Sequence, residues 1–151
     1  MSTSTELRDT GDLGSASLEF LTVGLLLLVP TVYLVVTFSA VQTAALGLEG
    51  AARQAARVFV REHAVSDAEA AAARAIKATA SDYDLDAATI QVTVRCDPDP
   101  ADCLQPHGAV TIGMTATVAL PFLPPVLGLD SAGIAVSASA TEQVPRFVGL
   151  P

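Results

Sequence analysis

From Phe20 to Val41 the chain carries no charged side chain, and the run includes Leu25-Leu-Leu-Leu-Val29 and the Val35-Val36 pair. These 22 residues, wound as a helix at 1.5 Å each, reach about 33 Å, which is enough for a hydrocarbon core of ~30 Å. Pro30 removes one backbone hydrogen bond and is expected to bend the helix near its middle. Beyond Val41 the helical period continues. Val41, Ala45, Leu48, Ala52, Ala55 and Phe59 recur at alternating steps of four and three, a narrow apolar seam, and the helix is expected to end near His63 or Ala64. Glu49, Arg53, Arg57 and Arg61 follow another face at steps of four, with Glu49 and Arg53 in the favoured order for an i,i+4 pair.

Ser66-Asp-Ala-Glu69 has the spacing of a capping box, which predicts a second, Ala-rich helix from Asp67 to about Ala80. After Asp82-Tyr-Asp-Leu-Asp86 the period changes to two. Ile90, Val92, Val94 and Cys96 alternate with polar residues and predict a half-buried strand. Val110 to Val118 predicts a longer strand, and Ile134 to Ala140 a third. The connections Asp97–Gly108 and Pro121–Gly133 are rich in Pro and Gly. Three consecutive strands favour an antiparallel meander with one face on the preceding helices, so the expected class is α+β.

Composition agrees with a membrane segment and one small domain. The 151 residues are 51% hydrophobic, above ordinary soluble usage, and about 110 remain once the apolar run is set aside. A net charge of −8 with scattered basic residues argues against a nucleic-acid surface. No G-x-S-x-G, H-E-x-x-H or phosphate-binding glycine loop is present, and His63 and His107 have no nucleophile at a telling spacing, so nothing argues for an enzyme. The residues before Gly14 carry Glu6, Asp9 and Asp12 against Arg8, the wrong sign for a secretory signal, and the apolar run exceeds a signal's usual length.

The cysteines leave three readings open. Cys96 and Cys103 enclose Asp-Pro-Asp-Pro-Ala-Asp and would form a short-loop disulfide in an exported domain, or stay reduced in a cytosol. With His107 they make a three-ligand zinc set of no standard spacing. Asp82, Asp84 and Asp86 imitate the opening of a calcium loop, but Ala87 and Thr93 stand where Gly and Glu belong, which favours a solvated turn.

One carboxylate lacks a routine explanation. Glu19 stands at the mouth of the apolar run, five residues after Gly14 and directly before Phe20, where a charge is costly unless paired or drawn out to headgroup water. Gly14-Ser-Ala-Ser-Leu-Glu19-Phe20 resembles the processing site of type IV prepilins, and the aromatic after the Glu resembles the Flp branch, the tight-adherence (Tad) pili. With the helix and strand pattern that follows, the chain resembles the TadE-like pseudopilins of that branch; the similar TadF type is not separated from them by these residues.

The resemblance implies a leader of residues 1–14, a transmembrane assembly helix over 15–41 and an extracytoplasmic α+β domain over 42–151. It implies cleavage between Gly14 and Ser15 by a prepilin peptidase, and a Glu19 that neutralises the new amine of Ser15 in an adjacent subunit. The implied partners are that peptidase, other Tad/Flp pilus subunits and membrane lipid; no cofactor is implied. Lys and Arg counting alone would put the C-terminal side in the cytoplasm, because Arg53, Arg57 and Arg61 follow the span. The resemblance places that side outside, which suits the Cys pair and the Thr-rich strands. The arginine stripe then has two readings, contact with lipid headgroups or pairing with acidic groups of neighbouring subunits. An uncleaved signal anchor displaying an adhesin or envelope scaffold is the alternative.

Overall fold

The computed structural model describes residues 12–120 and 133–146. Residues 1–11, most of the expected leader over 1–14, and the Pro-rich connection over 121–132 therefore lie outside the described residues, as do residues 147–151. The chain divides between Thr37 and Phe38 into two compact units. Helix α1 spans Asp12–Phe59 and α2 spans Val65–Asp82; a short 3-10 turn, Ala87–Thr89, leads into strands β1 (Gln91–Asp97), β2 (Ala109–Ala119) and β3 (Gly133–Gln143). The class is α+β, with a three-stranded sheet in the order β1-β2-β3.

In the first unit the sequence builds an apolar rod. Every side chain from Leu18 to Thr31 is exposed, and no residue of the most apolar 18-residue window is buried. The described residues include one helix long and apolar enough to cross a membrane. Helical assignment is continuous through Pro30, whose missing N–H leaves the Leu26 carbonyl without its usual donor. The hydroxyls of Thr22 and Thr31 donate to the carbonyls of Leu18 and Leu27, each at 2.7 Å, so these polar groups are satisfied within the helix.

The second unit has a core formed by both helices and one sheet face. Leu48, Ala51, Ala52, Ala55, Ala56 and Phe59 of α1 are buried with Ala68, Ala72, Ile76 and Ala80 of α2. The buried band is wider than the four-three seam read from the sequence: Ala51 and Ala56 join it, while Val41 and Ala45 at its start are half-buried. Small residues set the helix spacing. A Cβ on Gly47 would lie 2.8 Å from the ring Cγ of Tyr83, and one on Gly50 3.8 Å from the Thr79 methyl.

The strands pair antiparallel throughout, from Gln91 opposite Thr115 to Asp97 opposite Ala109, and from Ala109 opposite Gln143 to Ala119 opposite Gly133. Even-numbered positions face the core, where Val110, Ile112, Met114 and Ala116 of β2 are buried. The opposite face is a hydroxyl ladder, in which Thr111 and Thr141 are hydrogen-bonded at 2.8 Å.

Three details depart from the sequence reading. The capping box does not form. Helix α2 begins two residues earlier, with Ala64 in extended geometry at its N-cap and no side-chain capping bond. Ser66 is thereby inside the first turn, where the Glu69 amide is committed to the Val65 carbonyl, and Asp67 supplies the favourable charge at the helix start. Helix α1 stops at Phe59 rather than near His63, closing through bonds from Arg61 to Val58 and from Glu62 to Phe59. Strand β1 is exposed on both faces instead of half-buried.

Candidate functional site

The residues singled out by sequence fall into two separate sets. Gly14, Ser15, Glu19 and Phe20 all lie near the N-terminus of α1, in the first unit, whereas Cys96 and Cys103 belong to the second.

At the helix entrance, α1 starts at Asp12, so Gly14 and Ser15 have helical backbone within its first turn. The first four amides of any helix have no acceptor within it, which makes this turn the easiest to unwind. A protease that grips extended chain would have to unwind it there. Glu19 and Phe20 are exposed, and Leu18 and Leu21 beside them are exposed as well. Among the described residues the ion pairs join Arg53 to Glu49 and Arg57 to Glu142, and Glu19 takes part in neither. Its carboxylate stands on an apolar helix with no cation of the described chain to offset it.

At the far end of β1, Cys96 and Cys103 form a disulfide, with Cα atoms 5.0 Å apart. Both sulfurs are thereby occupied, and the zinc set with His107 is not assembled. The enclosed loop turns on Asp99, whose carboxylate accepts from the Ala101 amide at 2.9 Å, and the Asp97–Pro98 peptide is cis. The other acidic stretch, Asp82 to Asp86, is a turn: Asp84 has φ 54°, and the Asp86 carboxylate caps the 3-10 turn through the Ala88 amide at 2.9 Å.

A groove of about 520 Å³ opens beside the disulfide. Its apolar lining includes Phe59, Val65 and Val94 together with the two half-cystines, and Glu69 and Arg95 also border it. Residues of both helices and of β1 thus line it together. Val92 and Val94 point to the core side yet are 42% and 41% exposed, while Met114 and Ile112, directly opposite them on β2, are 2% and 0% exposed. Since β1 is also an edge strand of this sheet, its outer backbone groups have no strand partner among the described residues. Alternation in the sequence announced which valines face inward; it carried no signal of whether a helix would reach them.

A shallower cleft of about 310 Å³ lies over Gly113 on the hydroxyl face, where a Cβ would meet the Thr93 hydroxyl at 2.7 Å.

No protein-family model, no curated protein and no solved structure matches this chain. The two sets present a carboxylate on an apolar helix with no ion-pair partner among the described residues, and a partly apolar groove beside the strand β1.

Proposed function

We propose that this chain is a TadE-like pseudopilin, a single-pass membrane protein cleaved after Gly14 by a prepilin peptidase and used as a minor subunit in assembling a Flp-type pilus. The observation that carries the reading is Glu19, an exposed carboxylate at the head of an apolar helix, five residues beyond a glycine and next to Phe20. Cleavage at Gly14 would create a cationic amine on Ser15. Opposite charges that are both poorly hydrated attract strongly only at short range, so Glu19 of one copy and the Ser15 amine of a neighbour would set the register between apolar helices. The apolar helix holds the subunit in the bilayer until it packs beside others, and the α+β unit decorates or caps the assembly. The disulfide suits an extracytoplasmic location, where such bonds persist.

The helical backbone at Gly14 and Ser15 favours a second reading, an uncleaved anchor that displays the α+β unit as a surface interaction module. The deciding experiment is N-terminal determination of the membrane-extracted protein. The pseudopilin reading expects Ser15 as the first residue in the native chain, Met1 retained in Gly14→Val, and loss of assembly in Glu19→Ala. A native chain that begins at Met1 and assembles regardless of Glu19 leaves the anchored module.

A further inference from the structure

We propose that the groove beside the disulfide receives the outer face of α1 from a second copy of the chain. This deepens the assembly reading and rests on it in requiring that copies meet. In α1, Leu46, Arg53 and Arg57 follow one another at steps of seven and four, so they share a single stripe. That stripe lies opposite Leu48, Ala52, Ala55 and Phe59, which enter the core. Leu46 is 62% exposed although it lies outside the uncharged run, and both arginines are exposed. An apolar knob followed by two cations is thus presented to solvent.

The groove offers an acidic excess. Its lining includes Phe59, Val65, Val94 and the disulfide with Glu69 and Arg95; the loop that borders it adds the exposed Asp97, Asp99 and Asp102, against the exposed Arg61 between Phe59 and Val65. Spacing matches as well as charge. Leu46 to Arg53 covers about 10 Å of helix, and Val94 to Asp97 covers about 10 Å of strand. With Leu46 over Val94, Arg53 reaches the start of the acidic loop and Arg57 lies one helical turn farther along it. The present partners of these arginines, Glu49 and Glu142, are exposed and hold them weakly.

The two surfaces are different patches of one chain, so the contact is head-to-tail and can propagate; such contacts build rings or open helical filaments rather than closed two-fold pairs. Leu46 precedes Phe59 by about 20 Å of helix, so the contact offsets neighbouring copies along α1. Detergent, which imposes no common depth, permits that offset.

The test is photo-crosslinking of the full chain in detergent, with a benzophenone-bearing residue in place of the exposed Ala101. The expected product is a homodimer in which the loop of one copy is joined to residues 42–57 of another. Arg53→Glu with Arg57→Glu should lower its yield at least ~10-fold, as like charges are then juxtaposed. Glu69→Arg with Asp102→Arg should do the same, and mixing the two variants should restore the crosslink, since each regains an opposite surface. That rescue also separates lost docking from lost folding. A crosslink to another protein, to lipid or to another segment overturns the proposal, as does no crosslink or one indifferent to these charges. The N-terminal mass of the same sample keeps the two ideas apart. A chain that begins at Ser15 but does not crosslink refutes only the docking, and one that begins at Met1 yet crosslinks refutes only the processing.

Discussion

Along α1, Leu25 to Leu28 are between 60% and 69% exposed, whereas Leu48 is 0% exposed. The residue type is the same and so is the backbone; what differs is the partner layer. In the second unit that layer is α2 and β2, and burial there stabilises the fold. In the first unit the described chain supplies no cover, and the helix is long and apolar enough to cross a membrane, where association would depend on packing and polar pairing. Leucine content alone does not distinguish a core from an anchor.

The sharpest way to break that contrast is to delete one large side chain from each region. Phe59→Ala should cost about 3–5 kcal/mol of stability by loss of burial and the cavity left behind. Urea unfolding of the detergent-solubilised chain measures this. Leu27→Ala should leave that transition in place, while Leu27→Arg should release the chain from membranes on alkaline extraction, because an arginine at a helix centre costs about 3 kcal/mol to insert. Equal shifts of the unfolding transition for Phe59→Ala and Leu27→Ala would show that the two units do not fold independently.

Reducing the disulfide should come next in size. It closes a short loop and contributes about 2–3 kcal/mol in the chain-entropy model. The loss should be local. Amides of β1, which has one neighbouring strand among the described residues and mostly exposed side chains, should exchange faster with solvent after reduction than those of β2. Uniform acceleration across the sheet would mean that β1 is as well supported as β2, and would remove the exposed edge that borders the groove.

Two glycines in α1 give a finer comparison. An added methyl at Gly24 meets nothing within 4 Å, while at Gly47 it meets the Tyr83 ring at 2.8 Å. Gly47→Ala should therefore destabilise the second unit by about 1–3 kcal/mol through overpacking. Gly24→Ala should leave it unchanged. Tyr83→Ala added to Gly47→Ala should recover part of the loss, a coupling that a double-mutant cycle reads directly.

These contacts also mark how far the sequence could be read. The helices and strands were legible because their periods of 3.6 and two are local properties, and the apolar run was legible from its length. Arg53 sits four residues after Glu49, and that pair forms as its spacing predicts. Contacts between elements were not legible. Nothing near Gly47 announces Tyr83, 36 positions on, and Ser66-Asp-Ala-Glu69 matched a cap while the helix started earlier. Val92 and Val94 alternate as a buried face should, but alternation cannot say whether a covering helix extends that far. The entrance motif around Gly14 and Glu19 was legible only through its resemblance to prepilins, since its chemistry would be completed by another copy. The groove was invisible for a related reason: its lining comes from both helices, β1 and the disulfide loop, which the sequence does not bring together.

The smallest expected effect concerns the arginines that link the two sides of this comparison. Arg57 lies on α1, in the covered half of the helix, and its Nε donates to the Glu142 carboxylate of β3 at 3.4 Å. Both side chains are exposed, so the pair is screened and its geometry is long; Arg57→Ala should change stability by about 0–1 kcal/mol. Glu142→Ala should match it, and both effects should shrink further in high salt. A loss of several kcal/mol would mean that Arg57 is committed to holding β3 against the helix and is not free to exchange partners. A negligible loss leaves a cation that the fold does not need, kept on the same stripe as Leu46 and Arg53, and directs attention to what it meets outside its own chain.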